Sequence, residues 1–184
     1  MSKKVWEIAL LDPMSVQRCI DDLTAYRNLI DRKCETLRRR VAELIRDTAQ
    51  KGFNGSIVDD LTETTEERTG KGPRKASVSV TWSRDGDNTL VIANGEDAVW
   101  VEFGAGVTHN GAVGSSPNPL SAENGLGFAI GTFGTNGSKD KWAFTENGQT
   151  LWSYGTPADM PLYNAILDAI PQISDIAREV FEQT

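Results

Sequence analysis

Two cysteines and one histidine in 184 residues leave little material for redox or metal chemistry. Cys19 and Cys34 fall on what reads as one helix. At ~1.5 Å rise per residue they lie roughly 22 Å apart, too far for a disulfide. A structural zinc site needs four Cys or His ligands, and they are missing. Such cysteine usage fits a reducing, cytosolic compartment. Positive charge is also in deficit, with Lys+Arg 19 against Asp+Glu 26, a net charge of −7 and a pI near 4.8. That balance argues against gripping nucleic acid through its phosphates. No apolar run approaches the ~20 residues that a membrane span needs. The start, Met1-Ser2-Lys3-Lys4-Val5-Trp6-Glu7-Ile8, has Glu7 where a signal-peptide core would be apolar. The length suits one domain, 1–184, with a real core.

What is present is strongly patterned. Asp12-Pro13 reads as a helix start, with Asp as N-cap and Pro in the first turn. Val16, Leu23, Ile30, Leu37 and Leu44 repeat at heptad spacing, as do Ile20, Arg27, Cys34, Val41 and Thr48, and no Gly or Pro interrupts before Gly52. This predicts a helix over 13–51, roughly 58 Å long. A compact domain of this size is only about 40 Å across, so the helix either bends or buries its stripe on another subunit. The continuous stripe favours the second.

Residues 52–75 read as a polar loop. Antiparallel hairpins follow over 76–154. In the first, Val78, Val80 and Trp82 alternate with polar residues, Asp85-Gly86 forms the turn, and Val80 stands opposite Val91. The second turns at Asn147-Gly148 and sets Phe144 opposite Leu151. Gly95–Phe103 suits a strand or a short helix. Between the hairpins, the loop 104–137 holds nine of the 17 glycines. A terminal helix over 159–182 starts at a plausible Asp159 cap with Pro161 in its first turn, and Pro171 should kink or split it. The fold class is α+β, two helices packed on a small antiparallel sheet.

Catalytic patterns are weak. His109 lies in a glycine-rich loop with no partner motif, which makes a small hydrolase the lesser alternative. The segment Gly131–Lys139 lacks P-loop spacing, and Asp85-Gly86-Asp87-Asn88 lacks the rest of a calcium loop. Asp97 and Glu102 form the kind of carboxylate pair that any acidic chain yields by chance. Arg38-Arg39-Arg40 reads as a solvated face, with Glu35–Arg39 as an i,i+4 pair. Of five tryptophans, Trp100, Trp142 and Trp152 suit a carbohydrate-binding module, although packing explains them as well.

Two segments resemble a known family. Ala98-Val99-Trp100-Val101-Glu102-Phe103-Gly104-Ala105-Gly106-Val107 resembles the Glu-Phe-Gly signature of the tail-completion (neck, tail-component) proteins of long-tailed phages and prophages. Gly155-Thr156-Pro157-Ala158-Asp159-Met160-Pro161-Leu162-Tyr163-Asn164-Ala165 is similar to that family's entry to the last helix, and the order of elements also agrees. Residues 52–75 depart from it: many members carry Pro-x-x-Thr-Gly-x-Leu there, and this chain offers Gly55-Ser56-Ile57 and Thr69-Gly70.

The resemblance implies a non-enzymatic virion protein without cofactor or metal, made in the host cytoplasm and built into the neck. Its partners would be copies of itself in a ring and other neck, connector or tail proteins. DNA would pass nearby without specific binding. The assembly residues implied are Trp100, Glu102, Phe103, Gly104, Gly106, Met160 and Pro161. Among these, Glu102 is expected to pair with Lys or Arg across a subunit boundary, and Trp100 and Phe103 to anchor packing.

Overall fold

The computed structural model describes Ala9 and residues 12–59, 62–63, 68–69, 73–104, 116–125, 142–146, 148–153, 156 and 158–182. Helix α1 runs Pro13–Gly55, 43 residues, so the heptad pattern passes through Gly52 instead of ending before it. Asp12 caps it as expected, its carboxylate accepting from Met14 N–H at 3.1 Å. At the other end Ser56 N–H returns to the Gly52 and Phe53 carbonyls.

Segment 52–75 is not a plain loop. It contributes strands β1 (Ile57–Asp59), β2 (Thr62–Glu63), β3 (Arg68–Thr69) and β4 (Pro73–Lys75). β1 pairs antiparallel with β4. Backbone pairing satisfies such short stretches, polar in β2 to β4 and only two apolar residues long in β1, without a run of apolar alternation, which is why they read as loop.

β5 (Ser79–Asp85) and β6 (Asn88–Asn94) form the first hairpin. Its turn lies one residue later than expected, at Gly86-Asp87, and Val80 stands opposite Ala93 with Trp82 opposite Val91. Gly86 has φ +57 while Asp87 has no positive φ, the pattern of a type II′ turn with Gly first. The slip shifts each partner by two residues, so the apolar face is preserved. Val80, Val91 and Ala93 still face the core.

Helix α2 (Ala98–Phe103) and the short α3 (Ser121–Asn124) follow. β7 (Trp142–Glu146) and β8 (Gln149–Ser153) form the second hairpin in the expected register, Phe144 opposite Leu151. β8 also pairs with β2, giving a sheet of order β3-β2-β8-β7. Helix α4 (Pro161–Ala169), a 3₁₀ turn at Ile170–Gln172 and helix α5 (Ile173–Glu182) complete the chain. Pro171 splits the terminal helix, as its missing N–H requires. The architecture is α+β.

The core joins distant parts of the chain: Ala49 and Phe53 of α1, Val58, Val80, Val101 and Ala165. α4 lies close on α1 because the residues between them are small. Pro161, Ala165 and Ala169 are buried along one stripe, and a Cβ on Gly52 would come within 2.8 Å of Pro161 Cβ. Gln50 ties α1 to the hairpin: its Nε2 donates to the Val78 carbonyl at 3.0 Å and its Oε1 accepts from Val80 N–H at 2.7 Å. Further along α1, Lys33 Nζ donates to the Phe181 carbonyl, Arg84 bridges to Glu35 and Arg40 to Glu179. The half preceding Lys33 keeps Met14, Ile20, Leu23 and Leu29 between 46% and 67% exposed.

Candidate functional site

The two motif segments meet at α2. Asp97 stands before its first residue and takes Arg74 as a bidentate partner, Nη1 at 2.6 Å and Nη2 at 2.8 Å, together with Ser77 N–H at 2.7 Å. The guanidinium and the N–H hold the Asp97 carboxyl below its ordinary range despite burial. Sequence reasoning gave Arg74 no role, because it lies in a segment that reads as loop.

Glu102 lies near the other end of α2 and is buried, 6% exposed. Its Oε2 accepts from Leu162 N–H at 2.8 Å and its Oε1 from Tyr163 N–H at 3.0 Å. The Asn118 amide donates to the same Oε1 and to the Glu102 carbonyl, each at 3.1 Å. Within the chain the carboxylate is thus held by peptide and amide donors instead of Lys or Arg. Glu102 caps α4 from another part of the chain, satisfying donors that a helix start leaves open, where the dipole favours negative charge. Burial pushes the carboxyl above its ordinary range, and the Leu162, Tyr163 and Asn118 donors pull it back in part.

Glu102 is needed because the local cap is absent. Asp159 is exposed and does not cap the helix; Met160 takes the cap position with φ +54 and makes no side-chain capping bond. Pro161 is the first helical residue, as expected. The preceding turn is pinned to α2, because Asp159 and Met160 N–H both donate to the Val101 carbonyl, at 2.9 and 3.3 Å. Gly104 closes α2 at φ +82, ψ +151, a region that L side chains avoid, and its N–H donates to the Trp100 carbonyl at 2.7 Å.

The sequence-predicted residues therefore divide. Glu102, Gly104, Met160 and Pro161 share one interlocked site. Phe103 is half-buried beside it, while Trp100 is 47% exposed and does not anchor packing within this chain. Gly106 and His109 lie outside the described residues. The register puts Trp142 and Trp152 in neighbouring cross-strand pairs of the second hairpin, and Trp100 lies on α2. Asp97 and Glu102 belong to separate networks and form no acid pair.

Glu35 pairs with Arg84 at 2.6 Å and with Arg38 at 3.8 Å, in place of the expected Arg39. Asn118, 1% exposed, was missed because Ser-Pro-Asn-Pro reads only as a turn. Among the described residues, no group of His, Cys, Asp and Glu is placed to hold a metal, and no helix is long and apolar enough to cross a membrane. A groove of about 340 Å³ lies elsewhere, between α1 and α5, lined by Arg40, Leu44, Gln172, Asp175, Ile176 and Glu179. No family model matches the chain, and no curated protein or solved structure matches it.

Proposed function

We propose that this chain is a structural component of a phage neck, which joins or completes the head–tail junction as part of a homo-oligomeric ring. One observation carries the reading: α1 is about 65 Å long at ~1.5 Å per residue, and its first half holds an apolar stripe in solvent. A helix that keeps Leu and Ile exposed along a heptad seam is built to be covered. The motif residues support the reading by fixing the terminal helix to α2, which sets the body from which α1 projects. Their role is to hold shape; no bond-making step is assigned to them. The net charge of −7 suits a wall past which DNA moves without adhering.

The test is deletion of the gene in a lysogen that carries it, followed by induction and electron microscopy. The expected result is filled heads and separate tails. Normal joined, infectious particles would overturn the assignment. Ile20→Ser with Leu23→Ser, both exposed on the seam, should leave the isolated chain folded and abolish joining.

A further inference from the structure

The two edges of the β5–β6 hairpin are treated differently. In an antiparallel ladder, pairs that exchange both backbone hydrogen bonds alternate with pairs that exchange none. Asp85 and Asn88 close the two-residue loop, so their pair is of the exchanging kind. Counting along, Leu90, Ile92 and Asn94 bond back to β5, whereas Thr89, Val91 and Ala93 turn N–H and C=O outward. The same count turns Val80 N–H and the Val78 carbonyl outward on β5, and these are the groups that Gln50 holds. Helix α1 thus plugs the β5 edge at Val78 and Val80. Among the described residues, β6 has no second strand, and nothing beyond its ladder bonds the outward groups of Thr89, Val91 and Ala93.

An open edge is ordinarily blunted by charge, Pro or a bulge. Asn88-Thr89-Leu90-Val91-Ile92-Ala93-Asn94 has none of these. It carries no charge in a chain of net −7, so a second copy meets no local repulsion there. Its order of residue types also reads the same in both directions about Val91: Asn, small, branched aliphatic, Val, branched aliphatic, small, Asn. In a two-fold contact residue i meets j and j meets i, so about Val91 this order sets like residue types opposite each other.

We propose that the β6 edge is a homodimer seam, at which a second copy of this chain adds its own β6 antiparallel to build a four-stranded sheet. Val91 exchanges both hydrogen bonds with its counterpart, and Thr89 does so with the partner's Ala93. All the outward groups are then paired. Residues directly opposite share a face, so both α1 helices stay on one side of the sheet. On the other side Leu90 meets the partner's Ile92, which covers side chains that are 41% and 39% exposed. The seam does not use the exposed half of α1 and stands apart from the neck reading.

Sedimentation equilibrium of the intact chain, with amide exchange measured at Thr89, Val91 and Ala93, tests it. The wild type should dimerise, and those three amides should slow on concentration. Leu90→Lys with Ile92→Lys sets like charges opposite each other and should weaken the dimer about a hundredfold. Leu90→Glu with Ile92→Glu should do the same. Mixing the two variants should restore a mixed dimer of near wild-type affinity. The proposal is overturned if the wild type stays monomeric at about 100 µM. It is equally overturned if the Lys variant dimerises undiminished, or if the three amides exchange at one rate in dilute and concentrated wild type.

Discussion

Asp97 and Glu102 stand at the two ends of one short helix, both buried, and are held in opposite ways. Asp97 meets a full positive charge on Arg74; Glu102 meets only dipoles, two peptide N–H groups and an amide. The first keeps its proton off below the ordinary range and the second binds its proton more tightly than usual. A guanidinium outweighs the cost of burying a carboxylate, whereas donors without net charge only reduce it. The pair also differs in reach. Asp97 joins α2 to strand β4 and the residues before β5, while Glu102 joins it to the start of α4.

Removing Glu102 should have the largest effect. Glu102→Ala leaves Leu162 N–H and Tyr163 N–H without an acceptor in a buried site and takes from the Asn118 amide one of its two acceptors, and should cost about 3 kcal/mol in urea unfolding. A purely intersubunit role for Glu102 would instead leave the variant subunit as stable as wild type. Asp97→Ala should cost less, about 2 kcal/mol, because Arg74 is one-third exposed and recovers water. Equal losses would mean that charge and dipole partners are interchangeable here.

The pH dependence separates the two further. With its pKa below the ordinary 3.8, Asp97 contributes stability that is present above that value and lost as pH falls through the folded pKa. With its pKa above the ordinary 4.5, Glu102 contributes stability that is full below that value and lost as pH rises through the folded pKa. Urea midpoints from pH 2 to 7 should therefore show the acid-side loss reduced in Asp97→Asn. In Glu102→Gln, the decline above pH 4.5 should disappear. The smallest effect is expected at the turn beside Glu102: Met160→Gly relieves a left-handed non-glycine residue and should change stability by less than about 1 kcal/mol, in the stabilising direction.

Much of this was legible in the sequence, for reasons that particular residues show. The α1 seam, the Pro171 break and the Phe144–Leu151 register follow from periodicity, proline and turn chemistry, which act locally. The cap on α4 did not, because Asp159 offers a sound local cap and the chain uses Glu102, 57 positions earlier. Gln50 and Asn118 were invisible for the same reason: an amide on a helix or in a turn declares nothing until the fold sets a backbone group beside it. Strands β2 to β4 are too short and polar to show alternation, and Ile57-Val58 in β1 is too brief an apolar run to show it. The two motif segments were recognisable as separate stretches, but that Glu102 links them depends on α2 and α4 lying side by side.

The close seating of α4 on α1 at Gly52 has a mechanical consequence. Helix α1 is clamped along its second half, and the first half is a cantilever of about 30 Å. A 10° rotation at the clamp would carry the tip about 5 Å, the rise of one helical turn. The contact of Gly52 with the Pro161 ring therefore sets where the far end of the helix points, without touching whatever it meets there. A substitution at Gly52 as small as one methyl group would act as a change of aim.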